Sequence, residues 1–254
     1  MALARMILKR AVLTPPAWFV PERKFLRPGY GGLISLLLTL ALCVGCARPG
    51  SVNGDQSSPF VYAAVGDSTG IGLGARNGGG YVDRLFARIE QKRPGSTLIN
   101  LCAGGATAED AVNKQVARLG DRRVTLVTIC VGVNDLVQGR DEQQFAEDYE
   151  ALVANLRQSA RAVVVANLPD IASAPAMKEA ASDSLPLRLE RFNKAIEEIA
   201  SRKGVPLIDL YKLSREATRS RPELFSSDGL HPSDLGYAQW ADAMWTVVER
   251  AINE

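Results

Sequence analysis

The order of apolar segments predicts an α/β fold, a three-layer α/β/α sandwich with a five-stranded parallel sheet covered by helices on both faces. Three observations carry this. Five short apolar runs are each bounded by turn residues, the pattern of buried strands. The segments between them repeat apolar residues at helical spacing. The third run, Val124 to Val131 (VTLVTICV), is apolar at nearly every residue rather than at alternate ones, as a strand covered on both sides should be. At 254 residues, 46% apolar and 23% charged, the chain suits one domain core, and it shows no internal repeat or second domain.

Residues 1 to 45 read as a targeting signal and are excluded from the fold. A basic flank precedes Leu33 to Val44, an apolar run of about 12 residues that is too short to span a bilayer comfortably. It ends in Val44, Gly45 and Cys46, which resembles a bacterial lipobox, where small residues precede a cysteine that is lipidated and becomes the new amino terminus. The match is imperfect, because Cys43 stands where leucine is usual and Leu42 is displaced by one. The flank is also long, which points to initiation at Met6 or later. The expectation is an exported protein held on a bacterial membrane, in the cell envelope or periplasm, by a lipid on Cys46; an uncleaved signal anchor is the alternative. Residues 46 to 58 then form a flexible tether, and residues 59 to 254 the folded domain.

The net charge of +2 is misleading. Residues 1 to 45 hold six of the 30 basic residues and one of the 28 acidic ones, which leaves 24 against 27, a net −3. Basic and acidic side chains are interspersed, with no basic stripe interleaved with aromatics, so a nucleic-acid surface is excluded.

Within the domain, the first strand runs from Phe60 to Gly66. Tyr81, Val82, Leu85, Phe86 and Ile89 then mark a helix that Pro94 and Gly95 end. A strand from Thr97 to Leu101 leads through the glycine turn Cys102 to Thr107 into a helix with Ala111, Val112, Val116 and Leu119 on its apolar face. After the third strand, Phe145, Tyr149, Leu152, Val153 and Leu156 mark a helix, followed by a strand from Arg161 to Leu168 and a polar loop, Pro169 to Leu185. A helix bearing Leu187, Phe192, Ile196 and Ile199 leads to a strand, Val205 to Leu210, and a second loop, Ser214 to Ser227. The last helix buries Leu235, Trp240, Met244, Trp245 and Val248.

Ser68, at the carboxyl end of the first strand, has three readings. Asp67 and Ser68 suit a turn, because short polar side chains bond nearby backbone groups. Gly70, Gly72 and Ala75 satisfy a dinucleotide-binding spacing, but Asn77 to Gly80 stand where the helix should open and the second strand ends in Asn100 rather than an acid. GDSTG also fits the nucleophile elbow of α/β-hydrolases, although that elbow normally follows several strands. A parallel sheet gathers its strand-to-helix turns at one edge, which brings Ser68 together with Gly105, Asn134, Asp228 and His231. His231 is the sole histidine. Its spacing from Asp228 in DGLHP lets a loop set the carboxylate against one ring nitrogen and leave the other to deprotonate a hydroxyl. Gly105 and Asn134 each read equally as turn formers. Acyl transfer, however, needs donors aimed at an oxyanion as well as a nucleophile and a base.

Four blocks, Gly66-Asp67-Ser68, Asn100 through Thr107, Gly132-Val133-Asn134-Asp135 and Asp228-Gly229-Leu230-His231-Pro232, stand in the order and spacing of the SGNH or GDSL hydrolases, which this chain resembles. The resemblance implies the flavodoxin-like SGNH hydrolase fold and a cofactor-independent serine esterase acting on small-molecule carboxylic esters. It implies catalysis by Ser68, His231 and Asp228, with Ser68, Gly105 and Asn134 forming the oxyanion hole. Thr69 replaces the leucine that names the GDSL motif, and Cys102 and Gly104 depart from the second block, which leaves the shape of the acyl pocket open. A thioesterase or lysophospholipase would use the same site; a non-catalytic binding module on the same fold is the alternative from another class.

In a flavodoxin-like strand order Cys102 and Cys130 sit about 9 to 10 Å apart, beyond the roughly 7 Å a disulfide bridges. One histidine and no close cysteine pair argue against a metal site. The two long loops look largely polar, so the expected site is an open, shallow groove for short- or medium-chain esters.

Overall fold

The computed structural model describes residues 59–177, 183–218 and 221–253; the signal, the tether and Cys46 lie outside the described residues. The five strands are β1 (Val61–Gly66), β2 (Thr97–Asn100), β3 (Val124–Cys130), β4 (Ala160–Ala166) and the two-residue β5 (Leu207–Ile208). All pairs are parallel and the order is β2-β1-β3-β4-β5, with Tyr62 opposite Leu126 and Val127 opposite Val163. That is the flavodoxin-like order, whose direction of winding reverses between β1 and β3; the crevice beyond their carboxyl ends is where such sheets take ligands.

Connecting the strands are α1 (Tyr81–Lys92), α2 (Ala108–Asp110), α3 (Val116–Leu119), α4 (Val133–Gln138), α5 (Glu142–Ser159), α6 (Leu185–Lys203), α7 (Leu210–Thr218) and α8 (Asp234–Asn253). A π-helical turn, Ala111–Gln115, joins α2 to α3. Successive strand residues face opposite layers, and the core divides accordingly. Ala63, Val65, Val127 and Val165 pack with Leu119, Phe145, Tyr149, Leu156, Phe192 and Ile196 of one helical layer. Tyr62, Ala64, Leu126 and Val164 pack with Tyr81, Leu85, Ile89, Tyr237, Met244 and Val248 of the other. Cys102 and Cys130 are free and buried.

Four details depart from the sequence expectation. The loop expected over Ser214 to Ser227 begins as α7, whose Leu210 is buried. The short α4 follows directly on Gly132. The expected strand Val205 to Leu210 pairs over only Leu207–Ile208, because Leu210 already opens α7. Leu187 and Leu235, expected in the core, are 52% and 43% exposed, since each falls outside the face of its helix that buries Leu185, Leu189 and Phe192 or Tyr237, Trp240 and Met244. Among the described residues no helix is long and apolar enough to cross a membrane.

Candidate active site

β1 ends at Gly66, and the chain folds back at once: Gly70 N donates to Asp67 O at 3.2 Å and Leu73 N to Ser68 O at 3.0 Å. Asp67 does act as a turn former. Its Oδ1 accepts the backbone N–H of Thr69 at 3.0 Å and the Thr69 hydroxyl at 2.8 Å. Burial pushes the Asp67 carboxyl up, against the pull of those two bonds and of nearby His231. Thr69 therefore supplies a donor that leucine could not. Asn100 reaches across from β2 to donate to Gly70 O at 2.9 Å, which ties the second block to the Ser68 turn. Cys102 packs beneath that turn, so close that a side chain at Gly70 would meet its Sγ at 2.2 Å. Its departure from the family pattern thus falls under the serine and not in the cavity wall.

His231 and Asp228 share a loop closed on itself by a bridge between Phe225 and Pro232 and by Ser226 N donating to His231 O at 2.8 Å. Asp228 Oδ2 lies 2.7 Å from His231 Nδ1, and His231 Nε2 lies 2.9 Å from Ser68 Oγ. Asp228 Oδ1 accepts from the Ser226 hydroxyl at 2.8 Å, Leu230 N at 2.8 Å and His231 N at 2.9 Å. Partial burial opposes ionisation, but the His231 hydrogen bond and the two backbone N–H groups outweigh it and hold the carboxyl well below the usual range. An ionised Asp228 keeps the proton on Nδ1, and the Nε2 lone pair then faces the serine hydroxyl. Ser68 and His231 are both buried, at 7% and 5% exposure, so this transfer is shielded from bulk water.

Gly105 stands at φ +77, a left-handed conformation that suits glycine, in the turn that leads to Thr107. Thr107 caps α2, its hydroxyl accepting Asp110 N at 3.2 Å. From α4, Asn134 Nδ2 donates to Ala106 O at 2.9 Å and Asp135 Oδ2 accepts Ala108 N at 3.0 Å. The two side chains thus fasten the turn carrying Gly105 to the third block from both sides. Among the described residues no hydrogen bond takes up the backbone N–H of Ser68 or of Gly105. Gly105 does not line the cavity itself; it lies one residue before the carbonyl that Asn134 holds. The structural part played by Asp135 was not evident from the sequence, where it is one letter of a motif. Burial raises its carboxyl to about 6, with the Ala108 N–H and the Arg140 guanidinium, 3.6 Å away, pulling the other way.

Ser68, Asn134 and His231 open on a cavity beyond the carboxyl ends of the strands. Its lining is more apolar than the largely polar loops of the sequence lead one to expect. The 3₁₀ turns Ile171–Ser173 and Pro175–Met177 turn Ile171, Ala174 and Met177 inward, and Val133, Val137, Leu224, Phe225 and Leu230 complete a largely apolar wall. Among the described residues no group of three His, Cys, Asp or Glu side chains is placed to hold a metal ion.

Residues 64–239 match the model of the GDSL-like lipase/acylhydrolase family. The chain is 19% identical to esterase TesA of Pseudomonas aeruginosa over 194 residues, 76% of this chain and 90% of that one. It is 30% identical to the GDSL-like esterase Rv1075c of Mycobacterium tuberculosis over 197 residues, 74% of this chain but 62% of that one. Its fold is similar to that of the esterase EstA from Pseudoalteromonas sp., in a structure inhibited by monoethylphosphonate, with a TM-score of 0.62 at 20% identity over 76% of this chain and 99% of that one. With the motif blocks, the parallel sheet and the family model in agreement, the chain belongs to the GDSL-like lipase/acylhydrolase family and is a hydrolase acting on ester bonds.

Proposed function

We propose that the enzyme cleaves carboxylic esters through an acyl-enzyme on Ser68. The observation that carries this is the unbroken line from Asp228 through His231 to Ser68, at 2.7 and 2.9 Å, at the mouth of an apolar cavity. Ser68 Oγ attacks the ester carbonyl and its proton passes to His231 Nε2. The resulting oxyanion is met by the backbone N–H groups of Ser68 and Gly105 and by the second amide hydrogen of Asn134, whose first is spent on Ala106 O. His231 returns the proton to the leaving alcohol; a water, deprotonated by the same nitrogen, then releases the acid and restores the serine. Asp228 stabilises the imidazolium in both halves.

The apolar lining of the cavity favours a hydrocarbon acyl chain over a polar acid. Ile171, Met177, Val133 and Leu230 present hydrocarbon where the acyl tail would lie, so medium-chain esters are the best substrates, and lysophospholipids and acyl thioesters share the required shape. We also propose export and lipidation at Cys46, supported by the apolar run that ends in Val44, Gly45 and Cys46; this would hold the catalytic domain at a membrane that supplies such lipids. The test is a series of p-nitrophenyl esters from acetate to dodecanoate with the wild type, Ser68→Ala and His231→Ala. Turnover rising to a medium chain length and lost in both variants is expected. Wild-type-like turnover by either folded variant would refute the assignment, and a monotonic fall from acetate would refute the acyl-chain reading.

A further inference from the structure

Gln115 is a polar side chain in the wrong place for a surface helix: it is 2% exposed, on the face that also buries Ala108, Ala111 and Leu119. It reaches the last residue of β1. Gln115 Oε1 accepts Gly66 N at 3.0 Å and Gln115 Nε2 donates to Gly66 O at 2.8 Å. A carboxamide that bonds both the N–H and the C=O of one residue does what a neighbouring strand does. The reason is local. The β1–β2 register stops at Ala64 and Asn100, after which the chain leaves the sheet to form the turn carrying Gly105, with Ala103 N donating to Gly66 O at 3.1 Å as it goes. The Ala103 bond carries the ladder one rung further at Gly66 O, but among the described residues no backbone carbonyl following β2 accepts Gly66 N. Gln115 supplies that acceptor and a second donor to Gly66 O, from the end of a π-helical turn, Ala111–Gln115, a distortion often found at functional sites.

Gly66 has no side chain with which to fix itself, and none would fit: a Cβ there would stand 2.4 Å from Cys130 O. Ser68 follows two residues later. At its other end Gln115 belongs to the helical segment that Thr107 caps, two residues after Gly105. One side chain therefore joins the strand that presents the serine to the segment that presents Gly105.

We propose that Gln115 is a positioning residue for ester hydrolysis: it sets the Ser68 hydroxyl against the oxyanion donors of the Gly105 turn. This rests on the acyl-enzyme reading above. Asn193 provides an internal comparison, because its Oδ1 accepts Leu168 N at 2.7 Å and its Nδ2 donates to Leu168 O at 3.0 Å, a like pair of bonds just past the end of β4.

The experiment measures kcat and KM on p-nitrophenyl acetate, the rate of Ser68 phosphonylation by a fluorophosphonate, and the melting temperature. It compares Gln115→Met, which keeps length without the bonds, Gln115→Glu, which keeps shape and, when ionised, has no hydrogen to give Gly66 O, and Asn193→Leu. Both Gln115 variants should lose roughly 10- to 100-fold in kcat and in phosphonylation rate with KM within about threefold, as for small misplacements of a reacting group. Asn193→Leu should lower the melting temperature as much yet keep kcat within about threefold. If Gln115→Met does not fold, Gln115→Glu carries the test. Turnover within twofold of wild type in a folded Gln115 variant, a raised KM at constant kcat, or an equal loss in Asn193→Leu would overturn the inference. A wild type that no phosphonate labels at Ser68 would sink the acyl-enzyme reading itself, and this inference with it.

Discussion

Replacing Asn134 by alanine separates the catalytic from the structural duty of one side chain. Asn134 is 2% exposed and carries two amide hydrogens, one of them held by Ala106 O at 2.9 Å. If the other meets the oxyanion, its loss should cost about 2.7 to 4 kcal/mol in the transition state, or roughly 10²- to 10³-fold in kcat. KM should hardly move, because the ester carbonyl of the bound substrate carries little of that charge. The structural cost is separate: leaving the Ala106 carbonyl without its donor is worth about 1 to 3 kcal/mol of folding stability. Initial rates on p-nitrophenyl butyrate give the first quantity and urea denaturation the second. Asn134→Asp, which preserves volume but replaces the donor by a carboxylate, should lose at least as much kcat. A kcat within threefold of wild type, or a raised KM at unchanged kcat, would remove Asn134 from the oxyanion site.

Three further outcomes follow from other residues. Asp135 has its folded pKa raised from 3.8 to about 6, so its stabilising contribution is complete below the unfolded value and is lost as the pH rises through 6. Asp135→Asn, whose carbonyl can still accept Ala108 N, should therefore gain about 2 kcal/mol relative to wild type between pH 4.5 and 7.5 in urea denaturation; a pH-independent difference would refute this. Ala176→Phe should fill part of the acyl cavity, and displacing about two methylenes at about 0.8 kcal/mol each lowers kcat/KM for decanoate at least about tenfold while acetate is unaffected; equal losses on both esters would refute that placement. Mass spectrometry of the amino-terminal peptide should find a lipidated Cys46, whereas an intact segment of residues 1 to 45 or an unmodified terminus would contradict export by this route.

Much of the fold is legible because the same cause acts in sequence and in space. A strand buried on both faces must be apolar throughout, so Val124–Cys130 announces itself, and glycines and short polar residues mark the turns where the sheet delivers its chemistry. The candidate site is legible because Ser68, Gly105, Asp228 and His231 fall in turns, and Asn134 in the first turn of α4, at one sheet edge. Other features are hidden because local pattern does not determine them. Gln115 looks like a solvent-facing helical residue until the π turn and the departure of β2 give it a strand end to bond; its one signal is its spacing from Ala108, Ala111 and Leu119 on a buried face. The loop from Pro169 reads as a weak apolar segment because most of its apolar residues are alanines, yet its two 3₁₀ turns bring Ile171, Ala174 and Met177 to the cavity. Leu187 and Leu235 are apolar residues beside a buried stripe but off it, the stripe running through Leu185, Leu189 and Phe192 in one helix and Tyr237, Trp240 and Met244 in the other.

The central claim is that Ser68, activated by His231, is the nucleophile. Incubation with a fluorophosphonate followed by proteolysis and mass spectrometry tests it most directly. The account predicts a single phosphonyl adduct on Ser68, a labelling rate lowered in His231→Ala in step with its ester turnover, and no adduct in Ser68→Ala. An adduct on another residue, or a Ser68→Ala variant that still turns over esters at the wild-type rate, would contradict it.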